Sequence, residues 1–455
     1  LEAQQLSAEA TGGTLRFCEE KRVKEKGMES SGNDSQRIYY GWIIVGVALV
    51  SMAFWLGIRT SFSVFFVVFL GEFHWSRAST AGVQSLALIT YTILAPIVGG
   101  LIDRHGPRRV IVPGILVFAL GLGMCSLIKT LPQFYLLYGV IMGSGITCVG
   151  IVSYSAVLAH WFEKRRGLAS GIAVSGMGLG TFALVPLSQS LISRRGWRAA
   201  FVVLGGLVII ILLPLNAIFM RHKPADVGQF MDGEKTVPLG RGRGEARNHS
   251  PEQPGEWSFG SVLVSGRFWA LMGFTFFSTI SIYGILVHGI EFFVDQGIEK
   301  MKAAFVLALV GVVSSVFRIV WGWVSDRAGR ELTFTFGLLC ASLSVVSLLL
   351  IEETGKGDFV YCFLILFGMG WGVTAPMFMA VSADLFNGPI FGFIYGLVEA
   401  GIGVAGALGS WMAGAIYDRT QSYQWAFILF IVFFSVSAAL IWLAAPRKVR
   451  PGRAR

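Results

Sequence analysis

Long apolar runs separated by short polar punctuation dominate the chain from residue 39 to 445. Crossing about 30 Å of hydrocarbon takes roughly 20 helical residues. Runs of that length recur at 39–71, 78–101, 109–128, 133–161, 166–193, 198–220, 267–293, 301–324, 331–351, 357–385, 390–417 and 423–445. The pattern predicts an all-α membrane protein with twelve transmembrane helices. Three polar stretches frame them: a tail over 1–37, expected to be disordered, a Gly-, Pro- and charge-rich linker over 221–260, and a basic tail over 447–455. The linker divides the spans into six-helix halves, 38–220 and 261–446. The chain opens on Leu1, and Met28 is a candidate natural start.

The halves echo each other. Gly99-x-x-x-Asp103-Arg104-x-Gly106 closes one apolar run and Gly322-x-x-x-Asp326-Arg327-x-Gly329 another, at an offset of 326 − 103 = 223. Gly167, Gly171, Gly176 and Gly178 meet Gly392, Gly396, Gly401 and Gly403 at 392 − 167 = 225. Two six-helix repeats in the same orientation are parallel repeats, which in secondary transporters place a substrate site near the bilayer midplane between the halves. Glycines at equivalent places allow close helix packing and also sliding of one half on the other.

Composition narrows the class. With 54% hydrophobic and only 14% charged residues the chain is too apolar for a soluble protein. A net charge of +10 could suggest nucleic acid, but 26 of the 37 Lys and Arg fall on the side of the N-terminus, 9 on the other and 2 within spans. That is the positive-inside rule: both termini, the linker and both Asp-Arg turns are expected in the cytoplasm, the exceptions being Arg194, Arg195 and Arg198. The expected setting is the plasma or inner membrane, with the lipid bilayer and not nucleic acid as partner. Five cysteines without a C-x-x-C pair indicate neither a disulfide framework nor a metal site. No H-E-x-x-H, G-x-S-x-G or Walker-type sequence is present, so neither an enzyme nor a cofactor is expected, and transport would be driven by a gradient.

Arg318 is the strongest candidate for chemistry. An arginine deep in a span costs about 2.5 to 3.5 kcal/mol on insertion scales, so it needs a cavity and a partner. Eight residues separate it from Asp326, which puts it about 12 Å from the inner end of its helix, near midplane. A guanidinium fits a carboxylate with two parallel hydrogen bonds. The same ruler places Tyr154 and Glu399 at about 14 Å, level with Arg318. Glu399 is then either its counter-ion or a proton carrier. Trp371 and Thr374, slightly higher, are candidates for lining the substrate site, and Arg59 and His288, roughly 28 and 32 Å above their inner helix ends, suit an outer vestibule.

The paired turns resemble the cytoplasmic signature of the major facilitator superfamily. That resemblance implies a latch closing the halves in an outward-facing state, built from Gly99, Asp103, Arg104, Gly106 and Arg108 and from Gly322, Asp326, Arg327 and Gly329. Tyr40-Gly41-Trp42, Ser61 to Phe66, Trp161 to Gly167, Asp384-Leu385-Phe386 and the span-eight arginine look like the monocarboxylate transporter and oxalate/formate antiporter branch. The resemblance covers all twelve spans and implies a carboxylate-binding role for Arg318. The chain departs from animal members at Ser314 and Thr60, where they carry an aspartate and a lysine, so proton coupling does not simply carry over. The expected function is secondary active transport of small organic anions, monocarboxylates first, by proton symport or anion exchange, by a monomer. The rivals are an exporter of larger amphipathic compounds, suggested by 13% aromatics and 13 Met, and a non-transporting membrane sensor on the same fold.

Overall fold

The computed structural model describes residues 39–233, 257–354, 358–444 and 446. The expected tails over 1–37 and 447–455, and the linker from 234 to 256, lie outside the described residues.

Eleven helical runs among the described residues are long and apolar enough to cross a bilayer. One of them, Arg166–Phe219, has 54 residues, about 80 Å at 1.5 Å per residue and more than twice the hydrocarbon thickness. It turns back at Gly196, whose φ of 78° and ψ of 164° are not helical, and therefore counts as two crossings. The twelve spans are α1 (Gly41–Phe73), α2 (Arg77–His105), α3 (Pro107–Cys125), α4 (Leu131–Trp161), α5 (166–195), α6 (197–219), α7 (Gly266–Asp295), α8 (Lys300–Ala328), α9 (Arg330–Thr354), α10 (Phe359–Phe386), α11 (Phe391–Thr420) and α12 (Gln424–Ala444).

The duplication is written into the backbone. Six of the positive-φ residues pair across the repeat: His74 with Gly297 and Gly106 with Gly329 at the offset of 329 − 106 = 223, and Gly196 with Gln421 at 421 − 196 = 225. Each pair turns the chain between equivalent spans, where a left-handed residue is the economical way to reverse direction.

Two seams hold the bundle together, α2 against α11 and α5 against α8, and small residues let the backbones touch. A Cβ at Gly392 would stand 2.6 Å from the Gly99 carbonyl oxygen, and one at its counterpart Gly167 2.4 Å from that of Gly322. One turn on, Gly396 meets the Ala95 carbonyl at 2.5 Å and Gly171 that of Arg318 at 2.3 Å. Higher still, Gly403 meets Thr92 and Gly178 meets Ser315. Each of these three contacts of one seam has its image in the other. Apolar surface gives helices little reason to associate in lipid, so such close backbone approach is the main source of attraction.

At the end opposite the linker, Phe65, Phe69, Phe134, Trp197 and Phe201 pack ring on ring, with the Phe65 and Phe201 centroids 4.1 Å apart. At the linker end, part of the connection is folded. Asp232 accepts hydrogen bonds from the backbone N–H groups of Glu163 (3.0 Å) and Lys164 (2.8 Å), and Tyr40 donates its hydroxyl to the Phe219 carbonyl at 2.8 Å. The short helix Phe259–Val264 leads into α7, with the Phe259 ring 5.7 Å from that of Phe393.

Replacing Gly396 by valine is expected to destabilise the protein by about 1–3 kcal/mol through overpacking against the α2 backbone. Gly206→Ala, at a helical position with nothing within 4 Å, is expected to be neutral or stabilising by up to about 1 kcal/mol. Thermal unfolding of the two variants in detergent checks the contrast.

Candidate functional site

The sequence motifs, far apart along the chain, meet at the linker end. The Tyr40 ring lies 5.7 Å from Trp161 and the Trp42 ring 5.1 Å from Phe162, so the opening of α1 packs on the Trp161 to Gly167 stretch. That stretch in turn binds the motif after α10, because Arg166 Nη1 is 2.5 Å from Asp384 Oδ1.

The first N–H groups of a helix have no intrahelical partner and carry its positive end. The Asp-Arg turns use both facts. The Asp103 carboxylate accepts from Gly392 N and Phe393 N, each at 2.9 Å, and so caps α11 from α2. Asp326 accepts from Gly167 N at 2.9 Å and Leu168 N at 2.8 Å, capping α5 from α8. Gly99, Gly322, Gly106 and Gly329 serve these caps by close approach or by positive φ.

The two caps differ in what surrounds them. Arg330 Nη1 lies 2.8 Å from Asp326 Oδ1 and its Nε 2.9 Å from Asp384 Oδ2, so Asp326, Arg330, Asp384 and Arg166 form a buried chain of alternating charge. The position equivalent to Arg330 (330 − 223 = 107) is Pro107, and Asp103 is held by backbone amides. Arg104 and Arg108 are exposed, while Arg327 stacks on Trp323 at 3.7 Å. His222, beyond the spans, is held below its ordinary value first by burial and then by His160 and Lys223 beside it.

Near the middle of the bundle, Arg318 is 3% exposed. Its Nη1 donates to the Val174 carbonyl across the α5–α8 seam at 2.8 Å, its guanidinium lies 5.4 Å from the Trp371 ring, and its buried Nε has no hydrogen-bond partner. Glu399 does not neutralise it. That carboxylate, 6% exposed, accepts from Tyr91 (3.1 Å) and from Tyr395 (3.0 Å). Among the described residues no carboxylate lies within 4.0 Å of the Arg318 guanidinium. The repeat explains the separation: 399 − 174 = 225, so Arg318 reaches the backbone of the residue that corresponds to Glu399. The two charges occupy equivalent levels of different seams.

Arg59, expected in an outer vestibule, belongs with Glu399 instead. Its guanidinium lies over Trp55 at 4.8 Å and over Tyr91 at 5.5 Å, the tyrosine that bonds Glu399. Side chains lean toward the N-terminus of their helix, which carries the Arg59 head group well below its own Cα. Tyr154, expected beside the substrate, is turned away: its hydroxyl donates to Asn216 Oδ1 at 2.7 Å, inside the first half. The break of α4 at Gly150, with ψ of −175°, reorients the segment Ile151–Trp161 and buries it. Thr374 donates to the Trp371 carbonyl of its own helix at 2.8 Å. His288, near the end opposite the linker, uses both ring nitrogens, on Tyr423 Oη at 3.1 Å and the Ser410 carbonyl at 2.9 Å.

Sequence reasoning missed Trp55, Tyr91, Val174 and Tyr395. Tyr395 sits one turn before Glu399 and Tyr91 midway along an apolar span, so the depth ruler that picked out Tyr154, applied to every tyrosine, would have found both. Two surface grooves near the linker end, one lined by Leu101, Arg109, Pro113 and Cys148 and one beside His222, share no residue with the central group.

Twelve crossings in two repeated halves, with charged side chains held at the interface between them, are the architecture of a secondary transporter. The chain belongs to the major facilitator superfamily, whose family model matches residues 43–389. Monocarboxylate transporter 13 of Rattus norvegicus is 27% identical over 409 residues, covering 88% of each chain, and monocarboxylate transporter 2 of Homo sapiens is 24% identical over 415 residues, covering 89% of this chain and 84% of its own. An uncharacterised transporter of Bacillus subtilis of the same superfamily is 25% identical over 402 residues, with 87% and 93% covered. Among solved structures, the E. coli fucose:proton symporter matches with a TM-score of 0.67 at 14% identity, over 89% of this chain and 99% of the other.

Asp384→Asn leaves two buried guanidinium groups short of a partner and is expected to cost about 3–5 kcal/mol. Asp103→Ala removes a cap and is expected to cost only about 0.5–2 kcal/mol. Thermal unfolding of the purified variants measures the difference.

Proposed function

We propose that this chain moves small organic anions, monocarboxylates first, by alternating access, with Arg318 binding the carboxylate. The observation that carries the reading is a charge count. Among the described residues, Arg59, Arg318 and Glu399 are the Asp, Glu, Lys, Arg or His residues more than about two turns from either end of a span. Two cations and one carboxylate leave one positive charge uncompensated in a medium of low dielectric, and an anion supplies what is missing. The names of the mammalian relatives point to the same substrate class.

The mechanism begins with the linker end latched, the halves forming the two moving bodies and the linker end facing the cytoplasm. A carboxylate arriving from the opposite side finds the unpartnered Nε of Arg318 and forms a parallel pair of charge-assisted hydrogen bonds. The N–H parallel to that of Nε is on Nη2, so the pair forms while Nη1 still holds the Val174 carbonyl across the α5–α8 seam. Trp371 covers the guanidinium face and excludes water. Release to the other side follows when the caps on α5 and α11 open. Glu399, held by tyrosines and lying apart from Arg318, is the group available to take up a proton if the anion moves by symport; exchange of one anion for another needs no such step.

Uptake of labelled lactate, pyruvate and formate into proteoliposomes, with and without an imposed pH gradient, tests the substrate class and separates symport from exchange. Arg318→Lys keeps the charge and loses the planar fork, so uptake is expected to fall about 10- to 100-fold, the worth of one charge-assisted hydrogen bond. Uptake at the wild-type rate by a properly inserted lysine variant would remove Arg318 from the binding role.

A further inference from the structure

The three central charges are arranged in an unusual way for a site that merely grips one carboxylate. Arg318 stands on the α5–α8 seam, while Arg59 and Glu399 stand together beside the α2–α11 seam, joined through Tyr91. Arg59 is half-buried. Among the described residues its guanidinium has no carboxylate within 4.0 Å and meets only the faces of Trp55 and Tyr91, although it lies within electrostatic reach of Glu399. The indole Nε1 of Trp55 is also buried without a hydrogen-bond partner. A second cation thus faces the interior without direct neutralisation, and a second unsatisfied donor lies beside it.

We infer that Arg59 and Glu399 together set the valence of the anion this protein accepts. The inference rests on the anion-transport reading above and adds a rule to it. With Glu399 ionised the centre carries +1 + 1 − 1 = +1 from Arg59, Arg318 and Glu399, and a monoanion makes the occupied centre neutral. With a proton taken from water onto Glu399 the centre carries +2, and a dianion is then the neutral load, one carboxylate on Arg318 and the other toward Arg59 and the Trp55 N–H. A dianion therefore enters accompanied by one proton, and a monoanion enters without one. The groups that face Glu399 are few. Tyr395 lies on its own helix, Tyr91 comes from α2 and Arg59 from α1. From α7, Tyr283 packs against Gly406 within reach of both Tyr91 and Arg318, and the segment 151–161 turns its Tyr154 hydroxyl away to Asn216. No further cation or carboxylate among the described residues stands at this level to alter the count.

The opposing view is that Arg59 and Glu399 form a long-range structural pair with no bearing on the load. Charge substitution separates the two. Full-length protein in proteoliposomes at symmetric neutral pH is given labelled lactate or labelled oxalate, each fully ionised there because carboxyl groups titrate near pH 4. Glu399→Gln fixes the centre at +2 and is expected to move the oxalate-to-lactate uptake ratio upward by about tenfold or more, the scale of one unbalanced buried charge. Arg59→Gln sets the centre to zero and is expected to lower uptake of both acids by a similar factor. The double variant returns to +1 and is expected to recover lactate uptake, while Arg59→Lys retains the wild-type ratio. An unchanged ratio in Glu399→Gln, or a double variant no better than Arg59→Gln alone, overturns the inference. Should Arg59→Gln fail to insert, the ratio in Glu399→Gln decides by itself. A wild type that takes up neither acid overturns the anion-transport reading instead.

Discussion

The structure depends on one interaction made twice: a carboxylate at the end of one helix satisfying the free N–H groups at the start of another. Asp103 does this for α11 and Asp326 for α5. Nothing else at the linker end is as economical, since one side chain caps a helix, complements its dipole and ties the two halves together. The glycines beside the caps follow from it. For the carboxylate to reach backbone amides, the helix carrying it must come within backbone contact, and Gly99 against Gly392 and Gly322 against Gly167 leave the space. Each seam is consequently fixed at one end by its cap, and near the centre Arg318 and Glu399 make a further hydrogen bond between the halves.

At the centre the constraint is electrostatic. Buried charges in a membrane protein are tolerated when each finds hydrogen bonds and the group as a whole approaches neutrality. Glu399 meets the first condition through two tyrosines; Arg318 meets it only in part, with one carbonyl, one aromatic face and one idle N–H. The group fails the second condition by one charge. On the proposed function, what the protein carries completes this centre, which ties a local hydrogen-bond deficit to transport.

Most of the architecture was legible in the sequence because its signals are long or repeated. Span length and the offsets of 223 and 225 between Asp103 and Asp326 and between Gly167 and Gly392 each carry the fold independently. The depth of Arg318 and Glu399 was legible too, because helical rise is constant. What a one-dimensional ruler cannot give is azimuth. It placed Arg318, Glu399 and Tyr154 at one level and could not tell that the first two look across different seams while the third looks back into its own half. It also measured Arg59 at its Cα, when the charge lies a side chain's length away over Tyr91. The partners of Arg166 were hidden for a related reason, since Asp384 comes from 384 − 166 = 218 positions further on and only packing brings it near.

The unequal surroundings of the two caps have a mechanical meaning. Parting α2 from α11 at the linker end releases two amide bonds to Asp103. Parting α5 from α8 releases the matching pair at Asp326 and must also pull Arg166 of one half from Asp384 of the other, a contact of 2.5 Å buried from water. Equal torque on the halves therefore does not separate the two edges equally. On the proposed function, alternating access would part the α2–α11 edge at the linker end ahead of the α5–α8 edge, which Arg166 and Asp384 hold longest.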